Sequence, residues 1–96
     1  MKLIILKDFG TVLTGRELGF RSYKILADDL EYPVAFDFTD VSAMGSSFGD
    51  EFIVPIANKQ DKTVYISNAN PVVMSCLQDI AEEYGLIIES QMVLSK

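Results

Sequence analysis

The sequence predicts an α/β domain: a four- to five-stranded, mostly parallel or mixed sheet with about three helices packed on it. Three observations predict it. Short apolar runs alternate with longer segments whose apolar residues recur at helical spacing. Such alternation joins parallel strands through right-handed crossovers. The 96 residues include one cysteine and are 49% hydrophobic, which suits one core over residues 1–96 with no internal disulfide.

Leu3 to Leu6 is the first strand, and Asp8-Phe9-Gly10 is a turn after it. Thr11-Val12-Leu13 reads as a short second strand closing a hairpin. Thr14 and Glu17 have capping-box spacing, so a helix is expected from about Gly15 to Leu30. Leu18, Ser22, Ile25, Leu26 and Leu30 make its buried face. Gly15 and Gly19 each weaken the helix by roughly 1 kcal/mol relative to Ala if they sit in its interior; the alternative is that they permit a close backbone contact.

Pro33 ends that region, and Val34 to Thr39 is a strand with Val34, Phe36 and Phe38 on one side. Asp40 to Gly45 is a loop. A second helix opens near Ser46 or Ser47 and places Phe48, Phe52 and Ile56 on one face. Pro55 removes an intrahelical hydrogen bond, so this helix is expected to kink or end there. Lys62 to Ser67 is a strand with Val64 and Ile66 on one face. Asn70-Pro71 starts a third helix: a capping amide, then proline at the first helical position. Val73, Leu77, Ile80 and Tyr84 form its apolar stripe with Cys76 beside them, and Gly85 is the left-handed stop. Leu86 to Ile88 is read as the last central strand. The final residues either fray or add an edge strand through Met92, Val93 and Leu94.

Composition narrows the function. There is no His, so no Ser-His-Asp triad, Cys-His pair or imidazole-held metal. A net charge of -6 argues against nucleic acid, whose phosphates call for clustered Lys and Arg. No apolar stretch reaches the ~18–20 residues that span a bilayer, and the four apolar residues after Lys2 are too few for a signal peptide. A cytoplasmic protein with no metal, no cofactor and no membrane partner is expected. Nothing pairs a nucleophile with a base, so no enzymatic activity is expected.

The informative segment runs from Phe36 to Glu51. A strand ends, a loop crosses the sheet edge, and Ser46 and Ser47 open a helix that soon carries Asp50 and Glu51. Strand-end loops are the usual ligand sites of open α/β sheets, and first-turn amides of a helix favour an anion. A phosphate on either serine brings roughly -1.5 to -2 charge beside those carboxylates, which is the physics of a disruptive switch. The simpler alternative makes Ser47 the helix cap and Asp50 its capping-box partner. The pattern is not a P-loop, since no Gly-Lys-Ser/Thr run is present. Arg16 and Arg21 are candidate anion-binding residues, with plain solvent-facing charge as the alternative. Asp37 is placed to brace the loop.

Asp37-Phe38, Val41 and Ser46-Ser47-Phe48-Gly49-Asp50-Glu51 resemble the STAS-like domain family, relatives of the sulphate-transporter and anti-sigma-factor-antagonist domain. Arg16, Glu17 and Gly19, and the run Asn68-Ala69-Asn70, extend the resemblance. It implies a regulatory role. Antagonist members bind a histidine-kinase-type ATPase or anti-sigma factor, and phosphorylation of the serine that falls on Ser46 breaks that partnership. This chain departs by carrying Gly45 where antagonists have Asp, and Phe48 where they have a small Gly. The resemblance implies a partner surface of Gly45, Ser46, Ser47, Asp50, Glu51 and Asp37. The competing expectation is a small-molecule or nucleotide-binding module that uses the loop before Ser46 and Arg16. Pairing with another copy is open to either.

Overall fold

Alternate residues of a strand face opposite sides of a sheet, and in this protein the middle of one side is apolar. Along the chain, β1 (Lys2–Ile5) runs through a 3-10 turn (Leu6–Phe9) to β2 (Val12–Leu13), and α1 (Arg16–Leu26) ends in a second 3-10 turn (Ala27–Asp29). β3 (Val34–Asp37), β4 (Ala43–Met44), α2 (Ser46–Asn58), β5 (Thr63–Ser67), α3 (Pro71–Tyr84) and β6 (Ile87–Ser90) follow. The computed structural model describes residues 1–90; the edge strand expected through Met92, Val93 and Leu94 lies outside the described residues.

β1, β3, β5 and β6 form one parallel sheet in that order. Sheet neighbours are consecutive βα units, so right-handed crossovers bring all three helices to one face. Ile4, Val34, Phe36, Val64 and Ile66 point into that face and are buried. Phe52 of α2 is the hub beneath them, with the rings of Phe48, Phe9 and Phe36 centred 5.2, 5.6 and 6.1 Å away. On the opposite face the small Ala35, Thr63 and Ser67 lie low, while Leu3 and Ile87 remain 48% and 54% exposed.

Several local expectations are corrected. β2 does not close a hairpin with β1; it pairs parallel with β4, Val12 opposite Ala43 and Leu13 opposite Met44. The α1 cap is Gly15 rather than Thr14, and no side chain caps it. The α-helix stops at Leu26, and Ile25 is 70% exposed because Gly19 and Ser22 are the residues turned inward. α2 passes through Pro55 to Asn58: the buried Phe52, Ile53, Ile56 and Ala57 hold it where one backbone bond is missing. β6 is the edge of the described sheet, not a central strand.

The third helix follows its sequence signals. Asn70 Oδ1 accepts from the Val73 amide at 2.8 Å, Pro71 opens the helix, and Gly85 closes it at φ 69°. A left-handed residue at that position is where glycine costs least. At the other end of the sheet Gln60 fastens β3 to β5. Its Nε2 donates to the Val34 and Thr63 carbonyls and its Oε1 accepts from the Val34 amide.

Candidate functional site

The site is built at the carboxyl ends of β3 and β5, where parallel strands leave room for a ligand or partner. Asp37 ends β3 and holds the turn that follows. Its Oδ1 accepts from the Thr39 hydroxyl at 2.6 Å, the Thr39 amide at 3.1 Å and Asn68 Nδ2 at 3.0 Å. Burial works to raise the Asp37 pKa, but the hydrogen bonds from Asn68 and Thr39 outweigh it and leave the carboxyl below its ordinary range. Asn68 itself sits at positive φ just past β5, which turns its amide across to β3.

Asn70 continues the same support. Besides capping α3, its Nδ2 donates to the carbonyls of Val41 and Ser42, at 3.1 and 3.0 Å. One side chain thus fixes both the start of α3 and the loop that leads to α2. From Ser42 the chain runs beside β2: the amides of Ser42 and Gly45 donate to the Thr11 and Leu13 carbonyls at 2.7 and 2.9 Å. That short parallel pair sets the amino ends of α1 and α2 side by side.

Gly45 is the cap residue of α2 and contributes no side-chain cap, so Ser46 and Ser47 are the first two helical residues. The expected cap by Ser47 with Asp50 as capping-box partner does not form. Ser46 is exposed and Ser47 half-buried. The first-turn amides of both helices lack a side-chain cap, and because β2 and β4 pair directly before them, the positive ends of the two helix dipoles are near each other.

One turn into α2, Asp50 and Glu51 both turn toward α1. Arg16 Nη1 donates to Glu51 Oε2 at 2.6 Å, and Nη2 stands 3.5 Å from Asp50 Oδ2. Hydrogen bonding to Glu51 raises the Arg16 pKa further above its ordinary value. Arg16 is therefore occupied by the carboxylates of its own chain. Asp50 Oδ1 is buried with no hydrogen-bond partner among the described residues. Burial and the Asp50 charge both raise the pKa of Tyr84 on α3, and burial with Asp79 and Asp50 raises that of Cys76.

The structure thus brings Gly45, Ser46, Ser47, Asp50, Glu51 and Arg16 to one place, with Asp37 supporting the loop from behind. Arg21 is exposed on α1 and makes no ion pair among the described residues. The bonds made by Thr39, Asn68 and Gln60 have no specific signature in the sequence: Thr39 reads there as the end of a strand, Asn68 as part of the family resemblance, and Asn70 as a cap and part of that resemblance. For the residues after β3 and β5 the available signal is the short polar side chains Thr39, Asp40, Asn68 and Asn70, a composition that favours side-chain bonds to backbone; it does not reach Gln60. Among the described residues no group of three or more metal-ligating side chains stands together, and no helix is long and apolar enough to cross a membrane. The chain matches no family model, no curated protein and no solved structure.

Proposed function

We propose that this domain is a cytoplasmic regulatory module that binds a histidine-kinase-type ATPase or an anti-sigma factor through the amino end of α2. The supporting observation is the solvent-facing Ser46 with half-buried Ser47 at an uncapped helix start, set beside a second uncapped start. Unused amides and a fixed loop make a rigid polar surface whose geometry does not depend on the serine hydroxyls. A phosphoryl group added there changes its charge without dismantling the fold. Attached to Ser47, it faces Glu51 one turn on and competes for Arg16. Attached to Ser46, it enters the field of two helix starts and alters what a partner meets. Arg16 is already committed to Asp50 and Glu51, which weighs against a nucleotide site that needs this cation.

The test is a comparison of partner affinity. An ATPase-fold protein recovered with the wild-type domain from its host is titrated against wild type and Ser46→Asp by calorimetry. At least a tenfold weakening, about 1.4 kcal/mol, supports the switch. Equal affinities remove the switch, and recovery of no ATPase-fold or anti-sigma partner removes the reading.

A further inference from the structure

The sheet ends on one side in β1, whose outer edge is paired with nothing among the described residues. The Lys2 amide points inward, toward the Pro33 carbonyl at 3.3 Å. By strand alternation Ile4 also points its backbone inward, and Leu3 and Ile5 point theirs outward. Beside this edge lies an open cavity of about 270 Å³ between β1, the end of α1 and the turn after it. Leu3, Ile5, Ile25 and Leu26 give it apolar walls, and Lys2, Asp8 and Asp29 its charge. Leu3 and Ile5, whose side chains lie on the face opposite the helices, are 48% and 37% exposed, and Ile25 on the helix side is 70% exposed. Natural proteins usually blunt such an edge, because it is a template for another strand.

We infer that the β1 edge is the pairing surface for a second copy of this chain, joined antiparallel about a two-fold axis at Ile4. Facing residues in an antiparallel pair share a sheet face, so their numbers must add to an even sum. Centring on Ile4 sets Leu3 opposite Ile5 of the second copy, and Ile5 opposite its Leu3. The Ile5 amide of each copy then donates to the Leu3 carbonyl of the other. Four exposed aliphatic side chains meet on the face that carries no helices.

Charge selects this occupant. Lys2 lies at the start of β1, and Asp8 follows its far end. Neither has an ion-pair partner among the described residues, whereas Lys7 is taken by Asp40. An antiparallel copy brings its own Lys2 past the end of β1, to the 3-10 turn that carries Asp8, and the two-fold axis repeats that contact. This self-matching is the mark of an isologous interface. A parallel copy would set Lys2 against Lys2.

Sedimentation equilibrium of the full chain tests the inference. Wild type at about 100 µM is expected at twice the 10.7 kDa chain mass. Lys2→Glu is expected to weaken the dimer at least tenfold, and Lys2→Glu with Asp8→Lys to restore it. Both changes fall on exposed side chains, so far-ultraviolet circular dichroism should be unaltered. Leu3→Lys is expected to yield monomer. A monomeric wild type, a mass that climbs past the dimer, or a dimer indifferent to Lys2→Glu and Leu3→Lys overturns the inference.

Discussion

Gly19 of α1 lies directly against the backbone of α2: a Cβ on Gly19 would stand 2.7 Å from the Phe48 carbonyl oxygen and 3.2 Å from its Cα. No rotamer relieves that approach, because the obstacle is main chain. Contact this close lets the two helix starts sit together and lets Arg16 reach across to Asp50 and Glu51.

Gly19→Ala should therefore push the helices apart. Overpacking of this kind costs about 2 kcal/mol, which in a domain of this size lowers the melting temperature by roughly 10 °C. Thermal unfolding followed by circular dichroism measures it. An unchanged melting temperature would mean the helices separate without strain.

Asn70→Ala removes a cap bond to Val73 and two bonds to the loop carbonyls of Val41 and Ser42. A loss of about 1–2 kcal/mol is expected in urea unfolding. Hydrogen exchange should also quicken at Ser42 and Gly45, since the loop loses its anchor. A destabilised variant with wild-type exchange in that loop would confine Asn70 to capping.

Asp37 predicts an acid-side effect. Its carboxyl titrates below its ordinary value of 3.8 in the folded chain. A group depressed on folding contributes stability that is complete above the unfolded pKa and is lost as pH falls through the folded one. Wild type should thus lose that contribution on acidification below about pH 4. Asp37→Ala should be less stable at pH 7, and the gap between the two proteins should shrink toward pH 3. A gap constant from pH 7 to 3 would contradict the Asn68 and Thr39 bonds to a charged acceptor.

Cys76 should react slowly. Its pKa is raised by burial and by Asp79 and Asp50, and its side chain is only partly accessible. The thiolate is the reactive form. Disulfide-exchange reagent at pH 8 should label the native protein much more slowly than the urea-unfolded chain, and comparable rates would show the thiol to be open.

The alternation of apolar runs made the sheet and helix order legible, since buried parallel strands and amphipathic helices leave separate periods. Asn70-Pro71 and Gly85 were legible because caps are local chemistry. The β2–β4 pair was not: two residues can form a strand only when another segment lies beside them, and sequence neighbours do not say which. The alternative of a Ser47 cap does not hold because Gly45 serves that position with backbone alone. Exposure of Ser46 at the start of α2 was foreseeable from the helix register. The reach of Arg16 to both Asp50 and Glu51 was not, because it depends on how closely α1 approaches α2 at Gly19.

The strand order has a consequence for synthesis. Each βα unit lies next to the one made just before it, so the chain can build its sheet outward in the order in which it leaves the ribosome. β1 must wait only for β3, and β5 finds its template already in place. β2 waits about as long as β1 does: it stays single until β4 emerges about thirty residues later. That small clasp, and the two helix starts it joins, locks only after α1 has formed.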